Sequence, residues 1–176
     1  GMMSLLYAGE HAEANLRGLV LVDIVHRNSP AGIGKINDFM RRYDAGFATL
    51  DEAADAIAAY QPHRRRERNL RSLQKNLRQR EDGRWYWHWD PNILNDTATA
   101  EIRDPPRLLR AARAGKVPIL LVRGLASEVV EDEHAREFLA AVPGSREITV
   151  PDAAHMIAGD SNDRFTAAVK EFLGQL

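Results

Sequence analysis

An α/β fold built on a partial parallel sheet of about three strands is predicted by two features of the sequence, and a third is consistent with it. First, Gly18-Leu-Val-Leu-Val-Asp-Ile-Val25 and Val117-Pro-Ile-Leu-Leu-Val122 are nearly continuous apolar runs rich in β-branched residues, and Arg146-Glu-Ile-Thr-Val150 is a shorter one. Runs that are apolar at almost every position suit strands covered on both faces, as in a parallel sheet between helices. Second, the period turns helical between and after these runs, so the chain ends strand, helix, strand, helix. Third, 176 residues with 44% hydrophobic content and a formal charge of −1 can bury about two-thirds of the unfolded surface without disulfides or metal.

Taken in order, the chain starts with a helical stretch from Met3 to about Ala14, followed by the first strand. Residues 31–104 then break the strand–helix rhythm and read as an inserted helical lobe with no strong strand signal. Within it, Thr49-Leu-Asp-Glu52 fits a capping box, and Leu50, Ala53, Ala54, Ile57 and Tyr60 line one helix face until Gln61-Pro62 stops it. Leu70, Leu73 and Leu77 continue the helical spacing in a strongly charged segment. Beyond the second strand, Phe138, Leu139 and Val142 form the apolar face of a helix over Glu133 to Val142, ended by Pro143-Gly144. Phe165, Val169, Phe172, Leu173 and Leu176 mark the last helix, with Asn162 or Asp163 as its cap. The organisation is thus 1–30, a helix and first core strand; 31–104, the lobe; and 105–176, the C-terminal α/β core.

The composition narrows the chemistry. With no cysteine, a disulfide scaffold, a thiolate zinc site, an iron–sulfur cluster and a cysteine nucleophile are excluded. His11, His26, His63, His88 and His134 share no metal-binding spacing, so no metal site is expected. Apolar runs fall far short of the ~18 residues a membrane span needs, and no signal peptide is evident, so a cytoplasmic protein without membrane association is expected.

Glu128 sits just beyond the second strand and His155 just beyond the third, 27 positions apart. Loops at the carboxyl ends of neighbouring parallel strands converge on one crevice, so the two side chains can meet. A carboxylate orienting an imidazole is the base half of a nucleophilic triad: it fixes the tautomer and stabilises the imidazolium formed when the ring accepts a proton. On spacing alone, surface or structural roles for both residues are the more common outcome.

Several segments together carry a resemblance. Val117-Pro-Ile-Leu-Leu-Val-Arg-Gly124, Ser127-Glu128, the helix from Glu133 to Val142, and Ala154-His-Met-Ile-Ala-Gly-Asp-Ser-Asn-Asp163 resemble the C-terminal part of an α/β-hydrolase, of the serine esterase, lipase and non-haem peroxidase-like branch. Leu19-Val-Leu-Val-Asp-Ile24 is similar to the strand after the nucleophile helix, and residues 31–104 fall where a helical cap is inserted. The resemblance implies that His155 is the catalytic histidine and that Glu128 stands where an Asp is usual. Asp23, near the end of the first strand, is the alternative acid, since some hydrolases draw their acid from this strand; its more usual role is to hold a neighbouring loop. The implied substrate is a small organic, ester-like molecule, and no cofactor is implied.

The sequence departs from that family at the nucleophile. No Gly-x-Ser-x-Gly occurs in it, although the family's serine sits in that motif on a strand-to-helix turn. Met2-Met-Ser-Leu-Leu-Tyr-Ala-Gly-Glu10 resembles the helix after such a turn, which places Ser4 about one turn too late. The expectation is an acid and a histidine without their nucleophile, and little activity from this polypeptide alone. A start placed too late and a natural truncation that leaves a ligand- or partner-binding remnant both account for it.

Two further clusters have competing readings. Arg84-Trp-Tyr-Trp-His-Trp89 is the densest aromatic patch; Trp85, Trp87 and Trp89, with Met156, either line an apolar substrate pocket or seat the lobe on the sheet. Residues 64–84 hold nine Arg or Lys against three acids, which reads as a solvated arginine face rather than a nucleic-acid surface, because the leucine stripe assigns the segment an ordinary buried side. Finally, the resemblance implies that the outer neighbour of the first strand is the strand leading into the nucleophile turn, which is missing here, so a strand apolar on both faces would expose unpaired backbone. A homodimer through this strand or the Met2 to Tyr7 helix is therefore expected.

Overall fold

Three parallel strands organise the chain. The computed structural model describes residues 1–11 and 15–176, and its strands β1 (Leu19–Val22), β4 (Ile119–Gly124) and β5 (Arg146–Val150) form a sheet in the order β1-β4-β5. Leu19 pairs with Ile119 and Val22 with Val122, while Leu120 pairs with Arg146 and Gly124 with Val150. Every residue of the central strand β4 is buried, which is why its sequence shows no polar alternation.

Helix α1 (Met2–Glu10) packs on α6 (Pro105–Ala114). Residues 12–14, the end of the helix expected to reach Ala14, lie outside the described residues. Helix α6 begins as its sequence dictates: Asp104 accepts a hydrogen bond from Arg107 N at 3.1 Å, and Pro105 occupies the first turn. Helix α7 (Asp132–Ala141) joins β4 to β5 and packs on α6 and β5. A short helix α8 (Ile157–Asp160) precedes α9 (Asn162–Leu173). Phe172 of α9 packs with Leu120, Val122, Val150 and Ile157 into one apolar cluster. Asn162 is the first residue of α9 rather than its cap; Ser161 holds the cap position without a side-chain hydrogen bond.

The chain divides into two compact units, residues 1–33 with 99–176 and residues 34–98, the second narrower than the 31–104 expected. It takes most of α2 (Pro30–Arg42), together with α3 (Leu50–Tyr60), a single turn α4 (Leu70–Leu73), and strands β2 (Leu77–Gln79) and β3 (Trp85–Trp87); a 3-10 turn (Pro91–Leu94) and the start of α5 (Asp96–Thr99) follow. Thr49 caps α3 by accepting from Glu52 N at 3.1 Å, and the Glu52 carboxylate accepts from Ala48 N at 2.6 Å.

Here the helical reading of Leu70, Leu73 and Leu77 fails. All three do pack with the core around the fully buried Phe47, but helix α4 lasts one turn, and Leu77 opens an antiparallel hairpin in which it pairs with Trp87. Asp82-Gly83 makes the turn, with Gly83 at φ 79°, a conformation glycine adopts without steric cost. Trp85 and Trp87, two residues apart, then share one strand face. The period-two signal was present but only three residues long.

Candidate active site

Because β1, β4 and β5 run parallel, the loops leaving their carboxyl ends gather at one end of the sheet. Asp23 follows β1 directly. Its N–H donates to the Val122 carbonyl at 2.8 Å, extending the ladder by one residue. A φ of 49° then turns the chain away, a left-handed conformation that Asp tolerates better than most residues. The Asp23 side chain is fully buried.

From β4, the turn closed by Ser127 N donating to Gly124 O carries the Ser127 hydroxyl to Asp23. Its Oγ lies 2.5 Å from Asp23 Oδ2, 3.1 Å from Val129 N and 3.2 Å from Val130 N. A hydroxyl has one hydrogen and two lone pairs. Since both backbone N–H groups can only donate, the hydroxyl hydrogen goes to Asp23.

From β5, residues 151–156 cross the end of β4. Ala126 N donates to Ala153 O at 3.0 Å, and Ala154 N donates to Asp160 Oδ2 at 3.0 Å. Gly124 makes this approach possible: a Cβ there would stand 2.3 Å from the Ala154 carbonyl oxygen. His155 Nδ1 is thereby placed 2.8 Å from Asp23 Oδ2, with the ring 39% exposed. An ionised carboxylate only accepts hydrogen bonds, so Nδ1 is the donor and the neutral ring keeps its lone pair on Nε2. Asp23 Oδ2 thus accepts from both Ser127 and His155, whereas Asp23 Oδ1 is buried with no hydrogen-bond partner among the described residues. The arrangement can hold one histidine tautomer and stabilise its protonated form.

The carboxylate touching His155 is therefore that of Asp23, not Glu128, which the sequence placed first. The Glu128 side chain is exposed. Its backbone is pinned by the start of α2, where a Cβ on Gly32 would meet the Glu128 carbonyl oxygen at 2.1 Å. Ser127, one residue earlier, is the residue sequence reasoning missed. The available signal was a serine two and three residues before Val129-Val130, able to accept from both backbone amides in a local turn.

Met156, beside His155, is 50% exposed. Trp85 and Trp87 pack against the Phe47 core of residues 34–98, with the Trp87 ring edge-on to Phe47 at 5.5 Å, and Trp89 is half-buried. Ser4 lies exposed on α1. Gly1, the first residue, sits beside Ile24: a Cβ on it would be 2.6 Å from Ile24 Cγ2, one residue along from Asp23.

Unlike His155, His26 of the same unit is buried. His26 Nε2 is 3.5 Å from Glu137, and its ring stacks on Phe138 at 6.0 Å. Burial pushes its pKa below the ordinary 6.5, against the opposing pull of Glu137.

No family model matches the sequence. Among curated proteins, a 3-hydroxybutyrate-oligomer hydrolase of Cupriavidus necator is 25% identical over 150 residues, 80% of this chain and 51% of that protein. Among solved structures, an esterase of Mycobacterium tuberculosis superposes with a TM-score of 0.72 at 24% identity, over 99% of this chain and 57% of its own. An α/β hydrolase of Novosphingobium aromaticivorans gives a TM-score of 0.74 at 21% identity, over 100% of this chain and 63% of its own. The chain thus spans about half the length of the curated relative and about three-fifths of these structures. Matched over nearly its whole length and carrying three parallel strands with helices packed on them, the chain has the α/β-hydrolase fold over part of that fold's extent.

Proposed function

We propose that this chain supplies the base and acid of a serine-type hydrolase acting on a small, ester-like organic substrate. The observation that carries the proposal is the contact of His155 Nδ1 with the buried Asp23 carboxylate at the carboxyl end of the sheet. In this reading His155 Nε2 takes the proton of a serine, returns it to the leaving alcohol, and later activates the water that frees the acid product; Asp23 stabilises the imidazolium throughout. The scheme needs a serine presented on a Gly-x-Ser-x-Gly turn, a motif the sequence does not contain.

The test uses short p-nitrophenyl esters. The 176-residue chain is expected to be nearly inert, because the nucleophile and oxyanion donors each supply several kcal/mol of barrier lowering, about 2.7–4 for one oxyanion donor. The same chain extended by a segment bearing Gly-x-Ser-x-Gly is expected to turn over, and His155→Ala to abolish that. Turnover by the short chain that survives Ser4→Ala but is lost in His155→Ala would reveal a different nucleophile and overturn the scheme.

A second reading, a noncatalytic binding module, is favoured by one observation: the outer edge of β1 has no partner strand among the described residues. In it, the chain associates as a homodimer through β1 or α1.

A further inference from the structure

We infer that Ser127 is a positioning residue for the base, acting through Asp23. The inference rests on the reading of His155 and Asp23 as the base and acid of a hydrolase, and it adds a third member from the loop after β4. Asp23 is fully buried, and among the described residues its side chain takes both of its hydrogen bonds on Oδ2. The orientation of a buried carboxylate depends on the donors that hold it. One donor is the ring it has to orient. The other is Ser127, whose hydrogen has no choice of direction because Val129 N and Val130 N occupy its lone pairs.

Ser127 therefore transmits the rigidity of a backbone turn to a side chain on a different strand. Without it, His155 is the one donor left to the Asp23 side chain among the described residues, and the carboxylate is freer to rotate. That rotation loosens the hold on the Nδ1–H tautomer, and a base whose lone pair has moved to Nδ1 faces its own acid instead of a nucleophile. Ser127 needs no contact with substrate for this role.

The experiment uses the 176-residue chain, with no substrate. Nitrogen-15 NMR of the imidazole at alkaline pH reads the ratio of Nδ1–H to Nε2–H tautomers of His155. In the parent protein Nδ1–H is expected to predominate. Asp23→Asn should shift the population toward Nε2–H, since the amide can turn its NH2 to the ring. Ser127→Ala should lower the ratio by about tenfold, in line with one hydrogen bond to a charged group, and Ser127→Thr should restore it by returning the hydroxyl. Should Ser127→Ala fail to fold, Ser127→Cys keeps the side-chain size with a weak donor and is read in its place, with an intermediate ratio expected. If Asp23→Asn shifts the tautomer while Ser127→Ala, or Cys in its place, leaves it unchanged, Ser127 has no positioning role and the His155–Asp23 pair stands. If Asp23→Asn itself changes nothing, the pair fails and the role of Ser127 falls with it.

Discussion

Asp23 and Glu128 both follow an apolar strand by a residue or a few, and on spacing either can serve as the partner of His155. What separates them is local geometry. Asp23 leaves β1 with a left-handed φ and is fully buried, whereas the turn at Gly124 to Ser127 presents the hydroxyl inward and leaves Glu128 exposed. Chain spacing encodes neither the sign of φ nor which of two adjacent side chains a turn directs inward, so it could put His155 at this end of the sheet but could not say which carboxylate its ring contacts. In a chain extended to carry a serine, Asp23→Asn is expected to lower kcat by about ten-thousand-fold, the scale of a triad acid whose loss leaves the wrong tautomer. Glu128→Gln is expected to change it by less than about threefold, as for an exposed charge. Steady-state kinetics of the two variants decides between them. Gly124 offers an independent check, because a methyl there collides with the Ala154 carbonyl. Gly124→Ala should cost about 1–3 kcal/mol in denaturant unfolding, and it should move the His155 resonances before it moves those of residues 34–98.

At the level of elements, long signals were read correctly and short ones were not. The strands and the Thr49 cap of α3 rest on several consecutive residues or on a paired cap, and both appear where expected. The β2–β3 hairpin rests on two three-residue strands, too short for period two to stand out against leucines at spacings of three and four. Its place is set by tertiary pairing: Phe47 and Trp85 exchange backbone hydrogen bonds at 2.7 and 2.8 Å, a link no local pattern reveals. Phe47 is fully buried at the centre of that cluster, so Phe47→Ala should destabilise the unit by about 3–5 kcal/mol, seen as early loss of tryptophan fluorescence in urea. Helix α7 carries a different sensitivity. His26, against Phe138 and Glu137, has its pKa lowered chiefly by burial. The folded state therefore binds fewer protons than the unfolded one around the ordinary value of 6.5. Its contribution is complete above that value and is lost progressively as pH falls below it toward the lowered folded value. Melting temperature should decline as pH falls through and below 6.5, and His26→Gln should flatten that decline. An equal slope in the variant would remove His26 as its source.

On the scale of the whole molecule, the sheet ends on one side at a strand whose character is that of an interior strand. Leu19 to Val22 pair with β4 alone among the described residues, and Val22 is 37% exposed. A groove of about 530 Å³ lined by Met3, Ser4, Tyr7, Leu16, Gly18 and Leu19 adjoins it, with Met3 and Tyr7 more than half exposed. An apolar edge of this kind pairs with any strand that reaches it, and native proteins usually cover it or blunt it with charge. Neither Leu19 to Val22 nor the groove lining carries a charged side chain. The simplest cover for a chain alone in solution is its own copy, because a two-fold axis sets two β1 strands antiparallel and brings the two grooves into one contact. A strand of four residues offers few hydrogen bonds, so the groove must supply most of the roughly 1,000 Å² that a specific interface needs. Sedimentation velocity at tens of micromolar is expected to show a dimer, and Tyr7→Lys or Leu16→Lys to dissociate it by placing a charge on the patch without touching the core. A monomer at that concentration, or a dimer indifferent to both lysines, would place the association surface elsewhere or remove it.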